Sequence, residues 1–317
     1  MTKKENCFED YANEWFATHV KTFLKYSTSI SYEVCLRRHI IPAFGSKSID
    51  AIRRRDIKQL MCAKLAEGFS PGTVKNIKTC LSGILASAVE DELLTSNPAA
   101  QLGKQLKRMT KKKDYKQEIN PFSREEAKLF LETARDYYPR YYPLFMCALR
   151  TGMREGELIG LQPEDLDFDE RLINVRHAIV KKRKTTPKNG KSRKIDMSLQ
   201  LSEVLKEHLL EREREALRKG WKEPPEWLFY NEKGGPIDPD NLRKRHFYKC
   251  LKKAGLRKIR LHDCRHGFAT LLISQGESLA YVRDQLGHSN ISTTVDTYGH
   301  LVPGENRQAV DQLDDQQ

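Results

Sequence analysis

Residues 106–122 constrain this chain more than any other stretch. They begin Leu106-Lys107-Arg108-Met109-Thr110-Lys111-Lys112-Lys113-Asp114-Tyr115-Lys116 and carry six basic and two acidic side chains. The segment follows Asn97-Pro98 and has no apolar periodicity, so it can neither line a core nor continue a helix. It divides the chain into a first body over 1–105, a linker over 106–122, a second body over 123–302 and a tail over 303–317. At 317 residues, two bodies match the usual domain size of ~150 residues.

The first body reads as helical throughout. Phe8, Tyr11, Ala12, Trp15 and Phe16 keep the three-and-four spacing of one helix face. Ser27 and Thr28 precede Tyr32, Leu36 and Ile40, a second helix expected to end before Pro42. Arg53 to Glu67, stopped by Gly68, gives a third. Ser70-Pro71-Gly72-Thr73 opens a fourth through Ile77, Leu81 and Ile84 to Ala88. Four helices in such a length make a compact bundle whose apolar stripes are core. Arg37, Arg38, Arg53 and Arg54 are its candidates for phosphate contact.

The second body mixes periods. Ser123-Arg124-Glu125-Glu126 is a capping box, and a second helix spans roughly Tyr141 to Thr151. Ile173 to Val180 is rich in β-branched residues, Ser192 to Met197 reads as its partner strand, and Asn189-Gly190 between them is a hairpin turn signal. Mostly helices follow from Leu199. The expected fold is mainly α with a small β-sheet: a helical bundle, then a mixed α/β domain.

Charge narrows the partner. Lysines and arginines exceed acids by 13, and mean hydropathy is −0.67. A polyanion, nucleic acid first, fits that excess. Between Arg176 and Lys194 stand nine lysines or arginines and no acid. A sheet edge carries some lysines for solubility, but this run fits a ribbon lying on DNA, with Lys181, Lys182, Arg183, Lys184, Lys191 and Arg193 as contacts. For Lys111, Lys112 and Lys113 two readings stay open, a solvated linker and one that tracks phosphates. No run reaches the ~20 apolar residues of a membrane span, and the start lacks a secretory core, so a cytoplasmic location is expected. The seven cysteines show no C-x-x-C spacing, which points to reduced thiols rather than disulfides or zinc.

Four short segments carry polar chemistry. In Thr151-Gly152-Met153-Arg154-Glu155-Gly156-Glu157 a helix ends, turns at Gly152 and a new one begins, which lets Arg154 face an anion. His262 and Arg265 share a helix face at i and i+3. Leu286-Gly287-His288 reads as a helix end, and Tyr298 lies ten residues beyond His288. Each alone is ordinary. Taken in order with a turn lysine, they make a phosphoryl-transfer set: arginines clamp non-bridging oxygens, an acid protonates the leaving oxygen, a hydroxyl attacks.

On those residues, and on Thr28, Tyr32, Leu36-Arg37-Arg38-His39, Pro42-Ala43-Phe44-Gly45 and Asn97-Pro98-Ala99-Ala100, the chain resembles the tyrosine recombinases of phage integrase type over nearly its whole length. The resemblance implies a SAM-like core-binding bundle followed by a catalytic domain. It implies Tyr298 as nucleophile forming a 3′-phosphotyrosine, and Arg154 and Arg265 on the scissile phosphate. Lys188 would be the acid for the 5′ oxygen, His262 an aid to proton transfer, His288 a phosphate donor, and Glu157 an orienting residue behind them. Lys188 is preferred to Lys184 and Lys191 because it lies five residues before Arg193. No cofactor or metal is implied. Implied partners are double-stranded attachment sites, a tetramer on paired sites, and accessory DNA-bending or excision-directing proteins.

Larger members begin with an arm-site-binding domain; this chain begins at the bundle, so arm-type binding is not expected. Cys264 stands where the family usually has an aliphatic residue, with no catalytic consequence expected. Two other readings remain open: a type IB topoisomerase-like nicking and resealing enzyme, and a non-catalytic DNA clamp.

Overall fold

A computed structural model of the chain describes residues 7–103, 121–181, 183–186 and 192–302. Lys111, Lys112, Lys113, Lys182, Lys188 and Lys191, the Asn189-Gly190 turn and the 303–317 tail lie outside the described residues. The chain forms two compact units, Met1–Gln117 and Glu118–Gln317. Among the described residues no helix is long and apolar enough to cross a membrane.

The first unit is a helical bundle. α1 (Phe8–Trp15) runs on through a π-helical turn, Phe16–Val20. α2 (Tyr26–Cys35) continues through a second π-helical turn, Leu36–Ile40, into Ile41–Phe44. α3 (Arg54–Ala66) and α4 (Pro71–Glu90) complete it. The helix expected to stop before Pro42 therefore passes it. A proline lacks the N–H and crowds the carbonyl four residues back, and widening the ladder to i→i+5 just before it relieves both. α4 starts as its sequence dictates: the Ser70 hydroxyl accepts from Thr73 N at 3.2 Å, with Pro71 in the first turn. Phe8, Trp15, Leu36, Ile40, Ile57, Val74, Leu81 and Ile84 fill the core. Asn97 ties the following segment to α4, donating to Ser82 O at 2.9 Å and accepting from Ala99 N at 2.8 Å.

In the second unit the capping box forms. Ser123 Oγ accepts from Glu126 N at 3.1 Å, and the Glu126 carboxylate accepts from Ser123 N at 2.8 Å. It opens α5 (Arg124–Tyr137), followed by α6 (Tyr142–Thr151) and the short α7 (Glu155–Ile159). Phe130, Phe145 and Phe247 meet at ring centroid distances of 5.3–5.7 Å in the middle of the core.

The expected hairpin is divided in two. β1 (Leu166–Asp167), β2 (Leu172–Val175) and β5 (Arg193–Asp196) form an antiparallel sheet in the order β1-β2-β5, with Val175 opposite Arg193. β3 (Ala178–Val180) and β4 (Arg183–Thr185) pair separately, with Lys181 at φ 51° where they turn. The single strand expected from Ile173 to Val180 thus breaks after Val175. Arg176 bonds the buried Asp165 carboxylate from its Nε at 2.6 Å, which draws the chain out of the ladder.

Further helices follow: α8 (Leu199–Lys219), α9 (Tyr248–Lys253, entered through a π-helical turn, Leu242–Phe247), α10 (Asp263–Ser274), α11 (Leu279–Leu286) and α12 (Ile291–Tyr298). Tyr298 packs with Ala269, Ile273, Val282 and Leu286 in a small apolar cluster of its own.

Candidate active site

α6 ends at Gly152, which takes φ +60°. A Cβ there would lie 2.6 Å from the Phe268 ring, so both the turn and the packing demand glycine. The turn aims the Gly152 carbonyl at Arg265, whose Nη1 donates to it at 2.8 Å. Arg265 itself is only 3% exposed.

Arg154 stands at the N-cap of α7. Its Nη1 donates to Glu157 Oε1 at 2.9 Å and its Nη2 to the Gly287 carbonyl at 3.1 Å. Glu157, 1% exposed, also receives Arg193, from Nη1 at 3.1 Å and Nη2 at 2.8 Å. Arg193 Nε donates to the Gln285 carbonyl at 3.1 Å. Gly287 caps α11 at φ +65°, and a Cβ there would fall 2.6 Å from Arg193 Cδ. Two guanidiniums, Arg154 and Arg193, therefore hold one carboxylate, and a backbone carbonyl fixes a donor of each, as Gly152 does for Arg265.

That excess of positive charge governs the site. Burial alone would raise the Glu157 pKa, but the Arg193 hydrogen bonds and the Arg193 and Arg154 charges hold it at about 2. Burial first, then Arg154, push the Arg265 guanidinium down to about 9, still cationic at neutral pH. His288 is brought down to about 4 by desolvation and by Arg265, Arg154 and Arg193. His262 is open to solvent, yet the surrounding protein, His266 and Arg265 bring it to about 4 as well. Both imidazoles are neutral at pH 7. Tyr298, 2% exposed, is raised by burial to about 12 and keeps its proton. Its hydroxyl is 2.6 Å from Nδ1 of His266, and His288 Nδ1 is 2.9 Å from Thr294 Oγ1 on α12.

Arg154, Glu157, His262, Arg265, His288 and Tyr298 thus come from four separate segments into one electrostatic neighbourhood. Arg193 differs from the expectation of a DNA contact: it shares its strand face with buried Ile195, its side chain is 12% exposed, and its guanidinium is engaged with Glu157. Lys184 is exposed and donates to Gln162 Oε1 at 3.1 Å and Glu226 Oε1 at 2.9 Å. Lys181 and Arg183 are exposed. In the first unit Arg38, Arg53 and Arg54 are exposed, and Arg37 pairs with Glu33 at 2.9 Å while staying 74% exposed.

Sequence reasoning missed His266, which follows Arg265 on α10. Its signal was position alone, four residues beyond His262 on the same face.

The Glu157 linkage sets a test. Its pKa is depressed in the folded state, so its stabilisation is complete above the unfolded value near 4.5 and is lost as pH falls towards 2. A shift of that size corresponds to about 3 kcal/mol at pH 7. In urea titrations the stability gap between wild type and Glu157→Gln is expected to be roughly that at pH 7 and less than half of it at pH 3. A gap that stays constant with pH would remove Glu157 as the charge that holds the arginines.

A tyrosine hydroxyl beside clustered guanidiniums and neutral imidazoles defines a phosphoryl-transfer enzyme whose substrate is a phosphodiester. Comparison with known proteins agrees. Residues 120–305 match the phage integrase family, and residues 7–65 match the phage integrase N-terminal SAM-like domain. A tyrosine recombinase XerC-like protein of Caldanaerobacter subterraneus subsp. tengcongensis is 32% identical, over 96% of this chain and 82% of its own length. The ICEBs1 integrase of Bacillus subtilis is 31% identical, over 88% of this chain and 75% of its own. The solved structure of the Tn1549 transposon integrase in complex with transposon right end DNA shares the fold, with a TM-score of 0.78 at 22% identity, covering 97% of this chain and 99% of that one. The chain belongs to the phage integrase family of tyrosine recombinases. It is a site-specific recombinase.

Proposed function

We propose that this recombinase integrates or excises a mobile element by cutting each strand with Tyr298. The phenolic oxygen attacks phosphorus, the P–O5′ bond breaks, and a 3′-phosphotyrosine holds the strand until a new 5′-hydroxyl displaces it. Because the covalent bond conserves the phosphodiester, no nucleotide is needed for rejoining. The observation that carries this reading is the convergence of Arg154, Arg265, His262, His288 and Tyr298 on one cationic site.

Arg154 and Arg265 bind the non-bridging oxygens, already oriented by Glu157 and the Gly152 carbonyl. His288 adds a hydrogen bond to the phosphate, while its Nδ1 is fixed against Thr294. His262, at the open edge, assists proton movement there. Lys188 supplies the proton for the leaving 5′ oxygen. Arg53 and Arg54 stand at the start of α3, where a cation opposes the helix dipole and a phosphate would relieve it. They, with Arg37 and Arg38, grip the DNA backbone, as do Lys181, Arg183 and the lysines at 111–113. The protein works as a tetramer on paired double-stranded sites in the cytoplasm, with DNA-bending or direction-setting helpers.

The test is a nicked suicide duplex together with a pair of attachment-site DNAs. A covalent adduct and crossover products between the two DNAs are expected. Relaxation without crossover would place the chain with the topoisomerases, and binding without an adduct would make it a clamp. Adduct formation is further expected to persist in excess EDTA, because guanidiniums occupy the place of the charge-neutralising group at the phosphate. Loss that Mg²⁺ restores would contradict that role for the arginines.

A further inference from the structure

An attacking phenol must shed its proton, and at a pKa of about 12 the Tyr298 hydroxyl will not do so unaided near neutral pH. The roles carried over from the family leave that proton with His262. In this chain His262 meets the ring of His266, edge-on at a centroid distance of 5.2 Å. The imidazole that touches the nucleophile is His266, at 2.6 Å from its Nδ1.

We propose that His266 is the general base of this recombinase, receiving the Tyr298 proton at Nδ1 as the phenolic oxygen bonds to phosphorus. The inference rests on Tyr298 being the nucleophile. It requires the Nε2–H tautomer in the resting enzyme, with Tyr298 O–H donating to Nδ1. In the forward step the O–H bond breaks, the Oη–P bond forms, the P–O5′ bond breaks with O5′ taking a proton from Lys188, and the phenol's proton stays on His266. In rejoining, a 5′-hydroxyl gives its proton back to Lys188 and displaces Tyr298, which leaves as phenolate and recovers the proton from the imidazolium.

Geometry suits His266 to this task. It lies next to Arg265 on α10, so the base and the phosphate clamp share one rigid element. Its ring is half-buried, so water competes poorly for Nδ1. Around it stand Asp263, Arg260, His262 and Arg265 from its own helix and the turn before it, with His288 and Tyr298 from the elements opposite. Burial, Arg260 and Arg265 lower its pKa against the opposing pull of Asp263, which leaves the ring unprotonated and ready to accept at neutral pH.

The experiment measures single-turnover adduct formation on a nicked suicide duplex with full-length protein, alongside DNA affinity by gel shift. His266→Asn offers an acceptor near the place of Nδ1 without basicity. His266→Ala offers neither. Both are expected to bind DNA as wild type does and to cleave about 10²-fold more slowly. The rate of His266→Asn should climb about tenfold per pH unit as hydroxide takes over, while wild type stays flat above neutrality.

The decisive arm places a fluorinated tyrosine at position 298, whose hydroxyl ionises near neutral pH. The deficit of His266→Asn should then shrink towards onefold, because the nucleophile no longer needs a base. An Asn variant that cleaves like wild type would make His266 a positioning residue. An undiminished deficit with the fluorinated nucleophile would do the same. Adduct formation by Tyr298→Phe would instead remove the nucleophile assignment itself, so the two failures are distinguishable.

Discussion

Tyr298→Phe is expected to bind its DNA site with nearly wild-type affinity and to yield no covalent adduct on a nicked suicide duplex. The substitution removes only the hydroxyl. The ring stays in its cluster with Ala269, Ile273, Val282 and Leu286, so that apolar packing is kept. One hydrogen bond, to His266, is lost, for about 1 kcal/mol of stability. The arginines are untouched, because none of their hydrogen bonds involves the phenol. Affinity and folding therefore separate cleanly from chemistry. A normal adduct yield would show that another side chain attacks.

Lys188→Ala is expected to lower the cleavage rate by ~10²–10⁴-fold, the usual loss for a general acid. The 5′ alkoxide is a poor leaving group at neutral pH and must gain a proton as the P–O bond breaks. A lysine among other cations gives up its proton more readily than a free one. A substrate with sulfur at the 5′-bridging position restores the variant, since a thiolate leaves unprotonated. Arg154→Ala is not restored by sulfur, because its defect lies at the non-bridging oxygens. Lys184→Ala and Lys191→Ala show small defects on either substrate. For Lys184 the structure supplies a reason, since its ammonium is bound to Gln162 and Glu226. Sulfur rescue of Lys191→Ala instead would move the acid along the chain, and rescue of neither would pass the role to His262.

What the sequence made legible was governed by short-range rules. Ser70, Ser123 and Gly287 mark helix ends because capping involves residues three or four apart. The turn at Gly152 and the polar set from Arg154 to Tyr298 were legible for the same reason: each member sits in a local motif. Relations across the chain were not. Arg193 and Glu157 are 36 residues apart, and nothing local to Arg193 announces a buried carboxylate partner. Its alternation with Ile195 did point inward, but in a run of nine basic residues that signal was hidden. Pro42 obeys a local rule that a π-helical turn overrides. His266 looks like any helical histidine until α12 brings Tyr298 to it.

The pairing of Arg154 and Arg193 on Glu157, with Arg265 nearby, has one more consequence, for the life of the enzyme between reactions. Their donors are set in place by the Gly152, Gln285 and Gly287 carbonyls. A site assembled in advance loses little freedom when it engages DNA, but in the interval it holds like charges close together. Burial is the first cause of the lowered Arg265 pKa, and the Arg154 charge adds to it. Readiness to bind an anion and resistance to unfolding therefore pull in opposite directions here. An incoming phosphodiester cancels the surplus and binds the folded form selectively. A duplex that binds the folded form is therefore expected to raise its unfolding temperature as well as serve as its substrate, which melting curves with and without DNA would show.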